Sequence, residues 1–367
     1  MRIGILAFWR TKRRHCFLVR AGRALVREVI AIPQLMTCIF ARFFFKQKVI
    51  VVSACAFYER FGFFRGRLQH NNWGDDINVY FFELLSGKKV LVYPLTRFAN
   101  LIPLRRFALI GTLITGIRLN NCEICGTGAW GKDDERLRQK LRPRVVHFVR
   151  GPLTRDVLLA KGIPCPEAYG DPALLLPLFY APKWAKRWKI ALVPHYADVD
   201  DSMVSNILRC YGDDAVLVRM RGYEKWTDVI DYICASELVI SSSLHGLIVA
   251  ETYGVPAVWV RFTGRDHVSY KYQDFFRSIH KNIESPVDIT SVGQIDTLYD
   301  TERLSWQYGS IDREALLRLL PMELQGNAEK LNTNKYTNKN VVCIGGGVNS
   351  RYACFYVCQY APLKECA

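Results

Sequence analysis

The stretch formed by residues 237–256 constrains the fold more than any other part of this sequence. Its apolar run at residues 238–240 is typical of a buried parallel strand. Three serines lead into Leu244-His245-Gly246, and an apolar helical pattern then ends at Gly254, with Pro256 just beyond it. A glycine followed shortly by a proline is typical of a helix C-terminus. The stretch therefore predicts a strand, a hydroxyl-rich turn and a helix, in that order.

This order predicts a binding site at the turn. Ser242, Ser243 and Leu244 fall between the carboxyl end of a strand and the amino end of a helix, and His245 follows at once. An open parallel sheet binds ligands at this point, and the free amide groups of a helix N-terminus attract anions. We therefore expect the turn to hold a phosphate or a carboxylate beside a titratable His245.

The rest of the chain predicts an α/β protein. Strand and helix patterns alternate through the second half, which is typical of a doubly wound parallel sheet. A polar, aromatic loop is expected at residues 263–272, and polar disorder at residues 327–340. The predicted organisation is a basic N-terminal extension (1–46), an N-terminal domain (47–180), a C-terminal domain (181–325) and a partly disordered tail (326–367).

The charge of the chain is concentrated near its start. The formal net charge is +16, and residues 1–48 carry eleven Lys or Arg against one acid, which accounts for +10 of it. No nucleic-acid-binding motif accompanies this segment, so we expect no nucleic-acid partner. Peripheral contact with an anionic membrane surface and an inert solvated extension stay open. The best apolar window, residues 29–41, is too short to span a bilayer, so we expect a cytoplasmic protein.

Polar residues and glycines follow other predicted strands. Asn72, Asp75 and Asp76 precede a helical pattern, where they can cap the helix or, alternatively, contact and deprotonate sugar hydroxyls. Gly126 and Gly128 end a strand, where glycine permits a tight turn or a close approach of the backbone to a ligand. This pair lacks the six-residue dinucleotide fingerprint, so no NAD is predicted.

Two further side chains are expected at strand ends. Arg150 follows a strand, where it can bind a phosphate or carboxylate or form an ion pair at the surface. His195 also follows a strand and is a candidate for the same site. Cys122 and Cys125 lie inside a strand without a second pair at zinc spacing, so we expect buried thiols and no metal site.

Several of these pieces together resemble the polysaccharide pyruvyl transferase family. They are Asn72-Trp73-Gly74-Asp75-Asp76, Gly126-Thr127-Gly128, Arg150-Gly151-Pro152-Leu153-Thr154, Gly170-Asp171-Pro172, Val193-Pro194-His195-Tyr196 and Ser241-Ser242-Ser243-Leu244-His245-Gly246. The resemblance implies two Rossmann-like doubly wound domains that face a cleft, as in GT-B glycosyltransferases. It also implies transfer of a pyruvyl group from phosphoenolpyruvate to two hydroxyls of a sugar in a surface-polysaccharide precursor, which forms a cyclic ketal and releases phosphate.

The resemblance assigns roles to the candidate residues. His245, whose ordinary pKa suits proton transfer at neutral pH, is expected to protonate the donor, and Asp75 to assist at the acceptor hydroxyl. No metal or cofactor is expected, and the acceptor is expected to be lipid-linked. The donor is assigned to Arg150, Ser242, Ser243, Leu244, Gly126 and Gly128, and the acceptor to Asn72, Asp76 and His195.

One departure and two alternatives accompany this hypothesis. Some family members carry arginine where this chain has Ser243, so the donor's charge must be met by backbone amides, by Arg150, or by one of Arg219, Arg221 and Arg261. A GT-B glycosyltransferase that uses a nucleotide sugar would have a similar fold and would need an acid to bind ribose, for which Glu251 is the candidate. A non-catalytic membrane-associated assembly protein would not need His245.

Overall fold

Two parallel β-sheets form the framework of the protein. The computed structural model describes residues 25–56, 58–61, 64–114, 119–132, 142–182, 185–262 and 269–327. The expected basic segment before residue 25 and the expected disorder from residue 328 onward lie outside these ranges. The strands are β1 (Val49–Ser53), β2 (Tyr58–Phe61), β3 (Phe64–Leu68), β4 (Lys89–Val92), β5 (Arg106–Ala108), β6 (Cys122–Cys125), β7 (Val145–Phe148), β8 (Trp188–Val193), β9 (Ala215–Leu217), β10 (Ser236–Ser241), β11 (Ala257–Arg261) and β12 (Val287–Asp288).

The α-helices lie before, between and after these strands. They are α1 (residues 25–44), α2 (Trp73–Ser86), α3 (Pro152–Ala160), α4 (Ser202–Tyr211), α5 (Trp226–Cys234), α6 (Leu244–Tyr253), α7 (Tyr270–Ser278), α8 (Gly293–Ser305) and α9 (Arg313–Leu319). A 3-10 helix, Pro172–Leu178, precedes the second sheet and packs against α6.

Both sheets have the same strand order. The first runs β4-β1-β5-β6-β7 and the second β12-β11-β10-β8-β9, and all their strand pairs are parallel. In chain order each sheet reads 2-1-3-4-5, with its topological switch point between its first and third strands. The second sheet therefore predicts a ligand site where β8 and β10 end. The expected doubly wound α/β class is confirmed, and the exact domain limits stay a prediction.

One apolar core joins the two sheets. It includes Ile50 and Val52 from the first sheet and Val193 and Val239 from the second, with side chains of α2, α5, α6 and α7 between them. The backbone N–H of Trp73 donates to the carbonyl of Met220 at 2.8 Å, and its indole N–H donates to the carbonyl of Trp226, also at 2.8 Å. These contacts fix the start of α2 against the second half of the chain.

Helix α1 covers the outer face of the first sheet with one side only. Leu35, Cys38 and Ala41 are buried in a cluster with Val49 and Tyr93. The opposite side exposes Val26, Val29, Ile32, Met36, Phe40, Phe43 and Phe44 to solvent. None of the described helices is long and apolar enough to cross a membrane.

Three elements differ from the sequence-based expectations. The segment after β1, rich in Gly, Arg and Phe and expected to be a loop, contains the antiparallel hairpin β2–β3. Helix α7 begins at Tyr270, inside the loop expected to run to Tyr272. Helix α8 was not expected, because only Ile295 and Leu298 are buried on it and its apolar stripe is narrow.

Candidate functional site

The serine turn before α6 is built largely from internal hydrogen bonds. The Ser241 hydroxyl donates to the carbonyl of Val193 at 2.9 Å and accepts the N–H of Ser243 at 3.0 Å. The Ser242 hydroxyl donates to Asp198 at 2.8 Å and accepts the N–H of His195 at 2.9 Å. The hydroxyl of Ser242, which was expected to contact the donor, is therefore already occupied in joining the ends of β8 and β10.

Residues 243–246 keep polar groups available for a ligand. Ser243 is the N-cap of α6, but its hydroxyl makes no capping bond and no other hydrogen bond to the described residues. The N–H groups of His245 and Gly246, in the first turn, have no backbone acceptor in the part of the chain that the structure describes. Leu244 is buried and holds this turn against the core. The Ser243 hydroxyl and the two amides can therefore still bind an anion.

His245 lies where the two halves of the chain touch. A Cβ atom built on Gly74 would come within 1.9 Å of His245 Nδ1, so the imidazole packs directly on the α2 backbone. The ring is half-buried, but its Nε2 atom is sealed from solvent and has no hydrogen-bond partner among the described residues. A side chain at position 74 would therefore collide with the imidazole ring, and glycine leaves room for it.

The structure corrects the expected protonation of His245. Burial, together with the nearby positive charges of Arg150, Lys271 and His195, lowers the pKa of His245 to about 3. His245 is therefore neutral at pH 7, so it can accept a proton but carries none to donate. An anion bound beside it would oppose each of the three positive charges.

The start of α2 separates the two neighbouring aspartates. Asn72 is the N-cap: its side-chain oxygen accepts the N–H of Gly74 at 3.3 Å, and its amide donates to Asp75 at 2.6 Å. Asp76 is fully buried and accepts the hydroxyl of Tyr223 at 2.9 Å. Burial raises the pKa of Asp76 to about 7, with the charge of Asp75 adding to the shift. Asp75 is partly exposed, so it is the aspartate that an acceptor can reach, whereas Asn72 serves as a cap.

Arg150 is buried in an ion pair and is not at the surface. Its Nε donates to Asp274 of α7 at 3.1 Å, and both side chains are fully buried. Asp274 also accepts the Thr154 hydroxyl at 2.7 Å, and a Cβ on Gly151 would come within 1.9 Å of the Asp274 carbonyl oxygen. Residues 150–154 therefore form a seat for α7, and Arg150 contributes to the site through its charge and this seat.

Gly126 and Gly128 also serve packing inside the protein. A Cβ on Gly126, whose φ is +93°, would come within 2.4 Å of Pro172, and one on Gly128 would come within 2.1 Å of the Arg150 guanidinium carbon. Their N–H groups donate to the carbonyls of Phe148 and Gly111, respectively, both at 2.9 Å. This corrects the expected close approach of these two glycines to the donor, because protein groups occupy both the space and the amides.

Lys271 is the residue at the site that the sequence analysis missed. It lies in the first turn of α7, is 7% exposed, and its Nζ is 5.2 Å from the ring centre of Trp130 and 5.1 Å from that of Tyr272. Burial lowers the pKa of Lys271 to about 8; the charge of Arg150 adds to this shift, and Asp75 opposes it. A lysine between aromatic residues was the available signal, but the segment was expected to be a loop.

His195 completes the group at the junction. It follows β8, is partly exposed, and its Nδ1 accepts the N–H of Ala197 at 3.3 Å. The three alternative arginines are less favourable for the donor: Arg219 is exposed, Arg221 donates to the carbonyl of Asn71 at 3.0 Å, and Arg261 pairs with Asp288. We call Gly74, Asp75, His195, Ser243, His245 and Lys271 the junction site.

Two further observations concern metals and thiols. In the described ranges no group of three or more His, Cys, Asp or Glu side chains is placed to hold a metal ion. Cys122 and Cys125 are buried thiols, and burial raises the pKa of both. The prediction of buried thiols at these two positions is confirmed.

Comparison with known proteins confirms the resemblance indicated by the motifs. Residues 124–262, from β6 through β11, match the polysaccharide pyruvyl transferase family. The chain is 28% identical over 197 residues to an uncharacterized protein of Acanthamoeba polyphaga mimivirus, a match covering 53% of this chain and 65% of that protein. It is 29% identical over 220 residues to the succinoglycan biosynthesis protein ExoV of Rhizobium meliloti, a match covering 58% of this chain and 62% of that protein.

These matches thus span less than two thirds of either relative. A crystal structure of an uncharacterized protein from Klebsiella pneumoniae aligns with 70% of this chain and 99% of its own, at 14% identity and a TM-score of 0.36, which is too low to support an inference.

Proposed function

We propose that the protein transfers a pyruvyl group from phosphoenolpyruvate to two hydroxyls of one sugar in a surface-polysaccharide precursor, forming a cyclic ketal. The family match supports a pyruvyl transferase. The observation that carries the proposal is His245, sealed against Gly74 and surrounded by buried positive charge at the end of β10. In this proposal the two sheets bound a GT-B-like cleft, with donor and acceptor meeting at the junction site.

The reaction redistributes two protons and releases one leaving group, phosphate. A proton adds to the methylene carbon of the donor, which becomes the methyl group and leaves an oxocarbenium-like carbon. One sugar hydroxyl attacks this carbon, the second hydroxyl displaces phosphate, and the two hydroxyl protons balance the new C–H bond and the protonated phosphate. The site must therefore hold a compact anion, supply one proton and accept others.

The junction site offers groups for each task. The Ser243 hydroxyl and the first amides of α6 bind the donor anion. His245 is neutral at pH 7 and takes up a proton when this anion binds, which prepares it to protonate the donor. Asp75 is partly exposed and accepts the proton of the attacking hydroxyl, with His195 orienting the sugar.

The role of His245 is tested with a matched pair of variants. His245→Asn keeps a polar side chain but cannot transfer a proton. Phosphate release from phosphoenolpyruvate plus acceptor should therefore fall by about 100-fold or more. His280→Asn alters an exposed histidine with φ +60°, a conformation that asparagine tolerates, and should leave the rate unchanged. Equal, measurable rates for His245→Asn and the wild type would remove His245 from the mechanism, whereas no phosphate release by the wild type with any acceptor would favour a non-catalytic assembly protein.

The glycosyltransferase alternative depends on Glu251 to bind ribose, and this residue is not available for a ligand. Glu251, the candidate for binding ribose, is buried near the C-terminal end of α6, forms an ion pair with Lys281 and accepts the N–H of Gly309. Its carboxylate is therefore committed inside the fold. Consumption of a nucleotide sugar in place of phosphoenolpyruvate would restore this alternative.

The proposed acceptor is lipid-linked, and α1 brings the protein to the inner face of an anionic membrane. The support is the exposed apolar side of α1, including Phe43 and Phe44, beside the basic residues Arg27, Lys46 and Lys48. Apolar side chains next to positive charge are typical of helices that lie on anionic lipid.

This contact is tested by sedimentation with vesicles. The full chain should sediment with vesicles that contain phosphatidylglycerol, and replacing Phe43 and Phe44 together with serine should reduce binding at least about tenfold. Leu304→Ser, which removes an exposed apolar side chain from α8, is the control. If the wild-type chain does not sediment with vesicles but forms a dimer through Phe43 and Phe44, a second copy of the chain covers the exposed apolar side of α1.

A further inference from the structure

Lys271 is a buried cation without an ionic partner among the residues that the structure describes. It is 7% exposed, and neither a carboxylate nor any hydrogen-bond acceptor of the described residues lies within bonding distance of its Nζ. Burying an ammonium group without a partner costs several kcal/mol. A fold that retains such a group needs a compensating interaction, and an anionic ligand provides one.

Asp75 and Asp198 oppose the lowering of the pKa of Lys271, but neither forms an ion pair with Lys271 in the described part of the chain. Asp274, one turn along α7, is committed to Arg150 and Thr154. Asp198 accepts the Ser242 hydroxyl, and it influences Lys271 only from beyond ion-pairing distance. The positive charge of Lys271 therefore remains available on the side that faces the junction site.

The surroundings of Lys271 favour a compact anion over a neutral sugar. The aromatic rings of Trp130 and Tyr272 lie about 5 Å from Nζ, and the buried Arg150 guanidinium adds positive charge from behind. Tyr272, the next residue along, donates its hydroxyl to the carbonyl of Ser242 at 2.7 Å, which fixes the start of α7 against the serine turn. The lysine is thus held beside the amino end of α6.

We propose that Lys271 binds the phosphate group of the donor and supplies the charge that Ser243 does not. This inference rests on the proposed function, whose donor is phosphoenolpyruvate. In this arrangement the phosphate lies between Lys271 and the first turn of α6, and the Arg150–Asp274 pair positions the lysine by seating α7. Lys271 is therefore a donor-binding residue, and Arg150 is a positioning residue.

The test measures binding and stability together in the full chain. Isothermal titration with phosphoenolpyruvate, and separately with inorganic phosphate, compares the wild type with Lys271→Met, Lys271→Arg and the control Lys161→Met, which removes an exposed lysine after α3. We expect Lys271→Met to raise the Kd for both anions at least about 30-fold, Lys271→Arg to restore most of the affinity, and Lys161→Met to match the wild type.

Thermal melting separates ligand binding from a structural role. Methionine removes a buried charge, so Lys271→Met should melt at the wild-type temperature or above it while losing the anion. A lower melting temperature with unchanged Kd in the folded protein would assign Lys271 to the fold and overturn the proposal. Unchanged Kd at unchanged stability would overturn it too.

The pH dependence provides a second readout. The charged or titratable groups that face Lys271 are Arg150, Asp75, Asp198 and His245. Because the pKa of Lys271 is lowered to about 8, its ammonium form is lost as the pH rises through that value, and arginine at this position keeps its charge. The ratio of the wild-type Kd to the Kd of Lys271→Arg should therefore increase as the pH rises above about 8.

The outcomes distinguish this inference from the proposed function. Loss of phosphate binding in Lys271→Met, in a protein that forms no pyruvylated sugar with any acceptor, would support the anion site and reject the proposed reaction. Pyruvyl transfer with the same KM for phosphoenolpyruvate in Lys271→Met and the wild type would support the reaction and reject the anion site. A wild-type protein that binds neither anion would also reject the anion site.

Discussion

Donor binding should drive a proton onto His245. Burial and the charges of Arg150, Lys271 and His195 lower the pKa of His245 to about 3, so the imidazole is neutral at pH 7. Phosphoenolpyruvate brings a carboxylate and a phosphate. Because negative charge favours the imidazolium, binding should be accompanied by the uptake of about one proton per site.

The magnitudes allow this change. Moving the pKa of His245 from about 3 to about 7 requires about 5 kcal/mol, at about 1.4 kcal/mol per pKa unit. One unit charge at about 4 Å contributes about 4 kcal/mol at an effective dielectric constant of 20. Two negative charges near the ring therefore suffice, whereas one alone leaves His245 mostly neutral. The donor, with two anionic groups, should protonate His245 more fully than inorganic phosphate does.

Titration calorimetry in buffers of different ionisation enthalpy measures this proton uptake. At pH 7 the wild type should take up about one proton per phosphoenolpyruvate beyond the donor's own change in ionisation, and His245→Asn should take up none. The His280→Asn variant should behave as the wild type does. Equal proton uptake by the wild type and His245→Asn would refute the reasoning, because another group would then carry the proton.

Two substitutions test the supporting contacts. Gly74→Ala places a Cβ where His245 now lies, so it should reduce activity at least about tenfold in a folded protein, whereas Gly131→Ala, which meets nothing within 4 Å, should not. Wild-type activity in Gly74→Ala would show that the ring can move without loss. Asp274→Asn leaves the buried Arg150 without its ionic partner and should lower the free energy of unfolding by about 3–5 kcal/mol, measured by urea denaturation. An unchanged urea midpoint would contradict the proposed role of the Arg150–Asp274 pair in seating α7.

The sequence was sufficient to predict the framework of two parallel sheets, and it also pointed to the candidate site. Strand-turn-helix patterns with apolar runs identified the parallel sheets, and the end of β10 was identified from Ser241 to Gly246 because parallel strands end on one edge. Contacts between distant segments were not predictable in this way. The packing of Gly74 on His245, and the pairing of Arg150 with Asp274 across 124 positions of the chain, depend on how the two sheets meet.

The errors at the site have one physical origin. A histidine, an arginine or a glycine at a strand end has the same appearance in sequence whether it faces solvent, a ligand or another side chain. Burial lowers the pKa of His245, the buried Asp274 pairs with Arg150, and Pro172 fills the space next to Gly126. All three features depend on the assembled fold. Lys271 was missed for the converse reason, since a lysine is ordinarily expected at the surface.

The proposed pyruvyl transfer is tested most directly by mass spectrometry of the acceptor after reaction in D₂O. The full chain, phosphoenolpyruvate labelled with 13C and candidate lipid-linked sugars should give a sugar that carries the labelled pyruvyl group, with one deuterium in its new methyl group and one phosphate released per product. His245→Asn should give about 100-fold less of this product. Phosphate release without label on any sugar, or a labelled sugar that retains the methylene group as an enol ether, would contradict ketal formation by this protein.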